Sequence, residues 1–381
     1  MGNCVILKPS EKVPLTMKRV AELIHEAGIP KGVFQMVQGT RTVVEALCDH
    51  PKIAGVTFVG SSPVAKAVAT RCRANNKRVL ALGGAKNHLI ALPDCDVEST
   101  AQDIVASFAG AAGQRCMAAS VLVLVASEGA TGTSSQGVLA RVIEKTLALQ
   151  PGIEQGQVGA VIDERSKTNI LKFIEDAEKI DGAQVLVDGR SWASSANDGS
   201  IIPPENRRGF WVGPTVLLHK SAADAACTKE IFGPVLSVLR VRTWADALNI
   251  ENANPFGNAA CIYTSSGEAA DYFAPRFRAG MIGVNVGIPV PREPFSFGGM
   301  YGTQSKYGEM DITGEGCVEF CTNRRKITSR WPRAQGQERE YASSGDTACQ
   351  YASLVSAPIG HNRKGAGAPE DVDHANFNGN M

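Results

Sequence analysis

An α/β fold built on a parallel sheet is what the sequence predicts, and three observations carry it. Short apolar runs alternate with helical periodicities, glycines and prolines fall at the ends of those segments, and 44% hydrophobic residues in 381 are enough for a sizeable core. Such a length exceeds one usual domain, so two domains or one large α/β unit are expected.

The elements follow in order. Asn3 to Lys8 reads as a strand, Lys8-Pro9-Ser10-Glu11 as a turn, and Leu15 to Ala27 as a helix that Gly28 ends. Val33 to Val37 is a second strand, Thr42 to Cys48 a short helix, and Gly55 to Val59 a third strand. Pro63 suits the first turn of a helix reaching about Ala74. This alternation is the signature of right-handed βαβ units in one parallel sheet, which binds ligands at the carboxyl ends of its strands. Further strands are expected at Arg78 to Leu82, His88 to Leu92, Val121 to Ala126, Ala183 to Val187, Trp211 to Leu218, Val235 to Val241, Ala259 to Thr264 and Met281 to Val286. Helices are expected at Val97 to Phe108, Val138 to Leu149, Ile170 to Lys179, Ala245 to Glu251 and Glu268 to Phe277. Ser191 to Asn206 reads as a polar loop, and 332–381 as a disordered tail without apolar periodicity. The apolar first strand calls for neighbours on both sides, so upstream sequence is expected.

Charge and cysteine usage narrow the function. A net charge of +1 gives no electrostatic footprint for nucleic acid or an anionic membrane, and no apolar run approaches a transmembrane span. The ten cysteines and six histidines lack metal-ligand or disulfide-framework spacing, so no metal site is expected and a reducing interior is. Cys317 and Cys321, in a predicted strand, read as packing residues.

One stretch stands out chemically. In F-A-G-A-A-G-Q-R-C-M-A-A, 108–119, Cys116 supplies a nucleophile, Arg115 a cation that favours the thiolate, and Gly110 and Gly113 a backbone that a ligand can approach. A packed small hydrophobe is the competing reading of such a cysteine. Lys8 and Glu11 follow the first strand, and Gly60-Ser61 follows the third at a helix N-terminus, where N–H groups favour phosphate. The pair suggests a nucleotide, although the glycine spacing is not G-x-G-x-x-G.

Taken together the motifs resemble the aldehyde dehydrogenase superfamily. They are G-N-C-V-I-L-K-P-S-E (2–11), F-V-G-S (58–61), L-G-G (82–84), G-Q-R-C (113–116), E-I-F-G-P-V (230–235), N-P-F-G-N (254–258) and P-F-S-F-G-G (294–299). Within it, Gly84-Ala85-Lys86-Asn87-His88, Gly113 to Ala118, Val284-Asn285-Val286 and Ile288 to Pro291 resemble the CoA-acylating methylmalonate-semialdehyde dehydrogenase branch. Gly299 to Met310 departs from that branch's pattern.

The resemblance implies an incomplete Rossmann-type cofactor domain (1–82), an α/β catalytic domain (83–302), and a return to the cofactor domain with an oligomerisation strand (303–331). Cys116 is implied as the nucleophile that turns an aldehyde into a thiohemiacetal, with NAD as hydride acceptor. Lys8 and Glu11 are implied at the adenosine ribose, Gly60 and Ser61 at the pyrophosphate, and Glu230 and Phe232 at the nicotinamide ribose. Arg115 is a candidate for a substrate carboxylate, which a planar guanidinium holds through two bonds; Asn285, Phe295 and Phe297 are candidates for the aldehyde pocket. Hydrolytic relatives carry glutamate where this chain has Ala81, and without a base the thioester is left for CoA. Loss of carbon dioxide would leave an acetyl or propionyl group for it.

Two alternatives stand beside this: a hydrolytic enzyme, and a non-catalytic paralogue pairing with full-length subunits through a strand near Val318 to Ile327. The superfamily has a section before Asn3, with an oxyanion-holding asparagine and part of an oligomerisation hairpin, so low solubility or weak activity is expected of this chain. Complete relatives are expected to form homo-oligomers, in mitochondria by resemblance or in the cytoplasm as the alternative.

Overall fold

In the computed structural model, residues 2–126, 134–193, 202, 206 and 208–331 are described. The predicted tail and most of the Ser191 to Asn206 loop lie outside them. All described helices and strands belong to the unit Met1–Arg324; of the unit Arg325–Met381, residues 325–331 are described and carry neither.

Strands β1 (Val5–Leu7) and β2 (Phe34–Met36) pair in parallel, joined by helix α1 (Pro14–Glu26). Helix α2 (Arg41–Asp49) leads to β3 (Gly55–Val59), α3 (Ser62–Ala74) and β4 (Arg78–Leu82), and β3 pairs with β4 in parallel. The single sheet expected for these strands is not formed. β1 and β2 make a two-stranded sheet of their own, while β3 and β4 join β12 (Lys306–Tyr307), antiparallel to β4, in a three-stranded one. The apolar pattern makes β1 a buried strand, yet Val5 is 51% exposed, because no third strand covers it among the described residues. Beneath the three-stranded sheet, α3 packs Ala65, Val68, Ala69 and Cys72 against Val79 and Ala81.

The larger sheet contains β5 (Asn87–Ala91), β6 (Ala119–Val125), β7 (Gln184–Val187), β8 (Thr215–Leu218), β9 (Val235–Val241), β10 (Ala259–Tyr263) and β11 (Met281–Val284). Their order is β11-β10-β5-β6-β9-β8-β7, parallel throughout except for β7. Alternate residues of the central strands face opposite layers, as the period of two demands. Leu89, Leu122 and Leu124 meet α4 (Val97–Ala109), α5 (Ser134–Leu147) and α6 (Glu164–Lys179). Ile90, Val121 and Val123 meet the helices Trp244–Asn252 and Gly267–Phe273 on the other face. Both faces are therefore dry, which is why these strands read as continuous apolar runs.

The C-terminal strand expected near Val318 to Ile327 is absent. Gly314–Phe320 is a helix, Cys317 lies within it and Cys321 caps its end, and residues 322–331 belong to no strand. A strand needs a ladder partner, whereas this turn of helix meets Arg78, which donates to the carbonyls of Glu319, Phe320 and Thr322.

Candidate active site

The chain crosses from the three-stranded to the seven-stranded sheet at Gly83-Gly84-Ala85-Lys86, and the candidate site lies at this crossing. A Cβ on Gly84 would stand 2.3 Å from Glu230 Oε2, so glycine is required by the close approach of that carboxylate. The Ala85 N–H donates to Glu230 Oε1 at 2.9 Å. Ser62, at the start of α3, accepts the Gly84 N–H at 2.9 Å and donates to the Gln304 carbonyl at 2.7 Å. On the other side, Ser305 donates to the Gly84 carbonyl at 2.7 Å.

Into this cleft the segment after α4 brings Cys116. Ala111 and Ala112 both adopt φ 52°, a left-handed conformation costing roughly 1–2 kcal/mol per residue for a side chain with a Cβ. At Gly113 a Cβ would meet the Gly233 carbonyl at 2.2 Å, so the cysteine loop and the Glu230 to Gly233 loop close on one another there. Two asparagines then fix the cysteine's backbone. Asn87 Nδ2 donates to the carbonyls of Cys116 and Ala118, each at 2.8 Å, while its Oδ1 accepts the Ala259 N–H at 3.1 Å. Asn258 Nδ2 donates to the Cys116 carbonyl at 2.9 Å.

The thiol is half-buried, with Met117 and Phe297 in the same apolar cluster. Burial pushes its pKa up, the amides of Cys116 and Met117 pull it back, Glu230 raises it, and Arg115 contributes the smallest lowering. Desolvation thus outweighs the neighbouring cation that the sequence suggests as the activator. Arg115 is engaged elsewhere: its Nη2 donates to the carbonyls of Ala106 and Ser107 at 2.7 and 3.0 Å, ending α4 as a C-terminal cation should. Its Nε is buried without a partner among the described residues, so part of the fork remains for an acceptor.

A narrow cleft is lined by Lys86, Asn87, Arg115, Cys116, Glu230 and Phe232, among others. A groove between Pro294 and Arg324 is larger but contains no nucleophile. The aldehyde dehydrogenase family pattern matches residues 1–327. The chain belongs to that family.

Malonate-semialdehyde dehydrogenase 1 of Oceanobacillus iheyensis is 40% identical over 333 residues, 87% of this chain and 65% of that protein. Its counterpart from Bacillus licheniformis is 39% identical over 87% of this chain and 64% of its own. The solved methylmalonate-semialdehyde dehydrogenase DddC of Oceanimonas doudoroffii superposes with a TM-score of 0.80 at 37% identity, over 87% of this chain and 65% of that one. A Sinorhizobium meliloti protein described as a methylmalonate-semialdehyde dehydrogenase, solved with NAD, gives 0.81 at 36% identity over 88% and 66%. This aldehyde dehydrogenase family chain therefore spans about two thirds or slightly less of their length.

The remaining residues singled out in this family member fall in different places. Lys8 Nζ pairs with Glu11 Oε2 at 3.1 Å after β1, apart from the cysteine cleft. Gly60 and Ser61 form the corner before α3, and Ser61 makes no side-chain capping bond. That corner reaches the cleft only through its neighbour Ser62. Phe232 adopts φ 55° and is 44% exposed. Asn285 spends both ends of its amide on the Thr264 backbone, at 2.9 and 3.0 Å, which makes it a brace for the loop after β11. Phe295 is 72% exposed and only Phe297 packs near Cys116, so the structure separates that aromatic pair. Ala81, fully buried under α3, does not border the cleft. The anchoring by Asn87 and Asn258 was not foreseen, although both stand inside quoted motifs. Their spacing in sequence carries no sign that they meet at one carbonyl.

Proposed function

We propose that this chain carries the catalytic machinery of an NAD-dependent, CoA-acylating dehydrogenase for malonate or methylmalonate semialdehyde. The observation that carries the reading is the cleft that joins Cys116, Arg115, Glu230 and Phe232. Supporting it are relatives at 39–40% identity whose names specify malonate semialdehyde.

Cys116 would attack the aldehyde carbon, with the thiohemiacetal oxygen beside the backbone amides that also favour the thiolate. NAD, when bound, supplies the hydride acceptor. The residues present fit its sugar: Glu230 Oε2 has no partner among the described residues, and Gly84 admits that carboxylate where a Cβ would collide with it. Phe232 offers an exposed ring, and Gly60 and Ser61 stand at the start of a 13-residue helix, where unpaired N–H groups suit phosphate. Lys8 and Glu11 complete the adenosine side. The unused part of the Arg115 fork would hold the substrate's single carboxylate. Departure of that carboxylate as carbon dioxide, with a proton from solvent taking its place on carbon, leaves an acetyl or propionyl thioester on Cys116, which the CoA thiol then takes, releasing the Cys116 thiol. Copies associate as homo-oligomers, in mitochondria, on the same reading.

A second reading has one observation in its favour. Glu230 acts electrostatically on Cys116 and burial raises its pKa, so it could accept a proton from water and hydrolyse the thioester. Incubating the chain with malonate semialdehyde and NAD+, with and without CoA, decides between them. Acetyl-CoA formed only with CoA, and a mass increase on Cys116 without it, support the proposal. Free acid released without CoA overturns it in favour of hydrolysis, and an unmodified Cys116 overturns both.

A further inference from the structure

Ser305 is 2% exposed and immediately precedes β12, where the chain returns to the three-stranded sheet. Pairing of Lys306 with Leu82 seats it opposite Gly83, whose N–H donates to the Ser305 carbonyl at 2.9 Å. Its side-chain oxygen accepts the Gly257 N–H at 3.1 Å, and its single hydrogen goes to the Gly84 carbonyl at 2.7 Å. These roles are forced, since a main-chain N–H only donates and a carbonyl only accepts. The Gly84 carbonyl and the Ala85 N–H belong to one planar trans peptide and point in opposite directions. The bond from Ser305 on one edge of that plane therefore aims the N–H on the other edge, which donates to Glu230 Oε1 at 2.9 Å.

Such a restraint answers a weakness in the backbone. Close approach to Gln304 and to Glu230 requires glycine at both 83 and 84, and glycine leaves the adjoining peptide free to rotate. We propose that Ser305 is the positioning residue of Glu230: its hydroxyl holds the peptide between Gly84 and Ala85 in the orientation that engages Oε1 and leaves Oε2 for a sugar hydroxyl. The clause about the sugar rests on the cofactor reading above; the positioning does not. Without the hydroxyl that peptide turns more freely and the Ala85 N–H engages Glu230 for less of the time. The carboxylate then loses its one hydrogen-bond donor among the described residues.

Amide hydrogen exchange, read residue by residue on the full chain by mass spectrometry, tests the positioning without a cofactor. Ser305→Ala deprives Gly257 of its acceptor directly but leaves the acceptor of Ala85 in place, so Ala85 reports the transmitted effect. Its exchange should quicken about tenfold, the value of one buried hydrogen bond, while Leu122 in β6 keeps its rate. Ser305→Cys, which keeps the side chain's shape with a weaker donor, should act in the same direction. In a Glu230→Ala background Ala85 is already fast, and Ser305→Ala should add nothing. Ala85 unchanged while Gly257 quickens, additive effects in the double variant, or equal quickening at Leu122 would overturn the proposal. Binding of NAD+ and of ADP then tests the clause about the sugar. Ser305→Ala should weaken NAD+ about fivefold and leave ADP, which lacks the second ribose, unchanged. NAD+ unaffected, or both ligands weakened alike, would overturn that clause. Failure of the unaltered chain to bind either ligand overturns the cofactor reading, while exchange at Ala85 still decides the role of Ser305.

Discussion

Ser62 and Gly84 meet across the seam between two sheets, the hydroxyl of one accepting the amide of the other at 2.9 Å. Through this bond the start of α3 is tied to the turn that seats Glu230. Ser62→Ala leaves a buried N–H without an acceptor, at a cost of about 1–3 kcal/mol. A fall in denaturant midpoint with an unchanged m-value checks this; an unaltered midpoint would show that the seam does not depend on the bond.

Asn87 should matter more than Asn258. Asn87→Ala removes three hydrogen bonds from a buried site and is expected to cost about 3 kcal/mol. Asn258→Ala removes the bond to the Cys116 carbonyl and a weaker one to Met117 Sδ, and is expected to cost about 1–2 kcal/mol. Equilibrium unfolding of both variants tests the ranking.

Arg115 is expected to have two separable effects. Arg115→Ala strips the end of α4 of two hydrogen bonds, costing about 1–2 kcal/mol. On the proposed function it also lowers kcat/KM for a carboxylated aldehyde about 10- to 100-fold relative to an uncharged one, the value of a charge-assisted pair. Kinetics with malonate semialdehyde and propanal measure the second effect, and loss of both substrates alike would remove Arg115 from recognition.

Two buried groups should oppose one another as pH changes. His88 is pushed down to about 4, so the unfolded chain takes up its proton first and stability falls as pH drops below about 6.5. Glu251, which accepts the Arg278 N–H at 2.9 Å, is pushed up to about 7 by burial. The native state there holds a proton that the unfolded chain releases, so this group makes stability fall as pH rises from about 4.5 to about 7. Glu251→Gln keeps an acceptor but removes the titration, and should steepen the loss of stability in acid. Melting temperatures of that variant between those pH values check the sign.

Alkylation of Cys116 supplies a fifth test. Burial raises the thiol's pKa, so at a given pH it should react more slowly than glutathione, and denaturation should abolish the difference. Faster reaction in the native chain would show that the amides and Arg115 outweigh desolvation.

Much of this was legible in the residues. The central strands of the seven-stranded sheet are buried on both faces, and they lie within a few residues of where the sequence puts them, because dry faces leave an uninterrupted apolar pattern. Cys116, Glu230 and Phe232 were likewise visible as motif members, and the structure brings them to one cleft. Pairing was not legible: nothing in β1 or β2 says that they leave β3 and β4, and nothing in Val318 to Phe320 distinguishes a short helix from a strand when Arg78, some 240 positions earlier, decides it. Arg115 was read as activating the thiol since it adjoins it in sequence, whereas its guanidinium turns back to the carbonyls of α4. Sequence neighbours share a backbone, and side chains of that length choose partners nine residues away.

Asn87 has a consequence for the motion of the nucleophile. Its amide clamps the chain on both sides of Met117 to the central strand, while the left-handed pair Ala111 and Ala112 forms a weak link further upstream. Fraying that begins at the end of α4 would be halted at this clamp, and amides from Met117 into β6 would exchange hydrogen with the slow class of the sheet core. By shape Cys116 sits in a loop; by stability it belongs to the sheet.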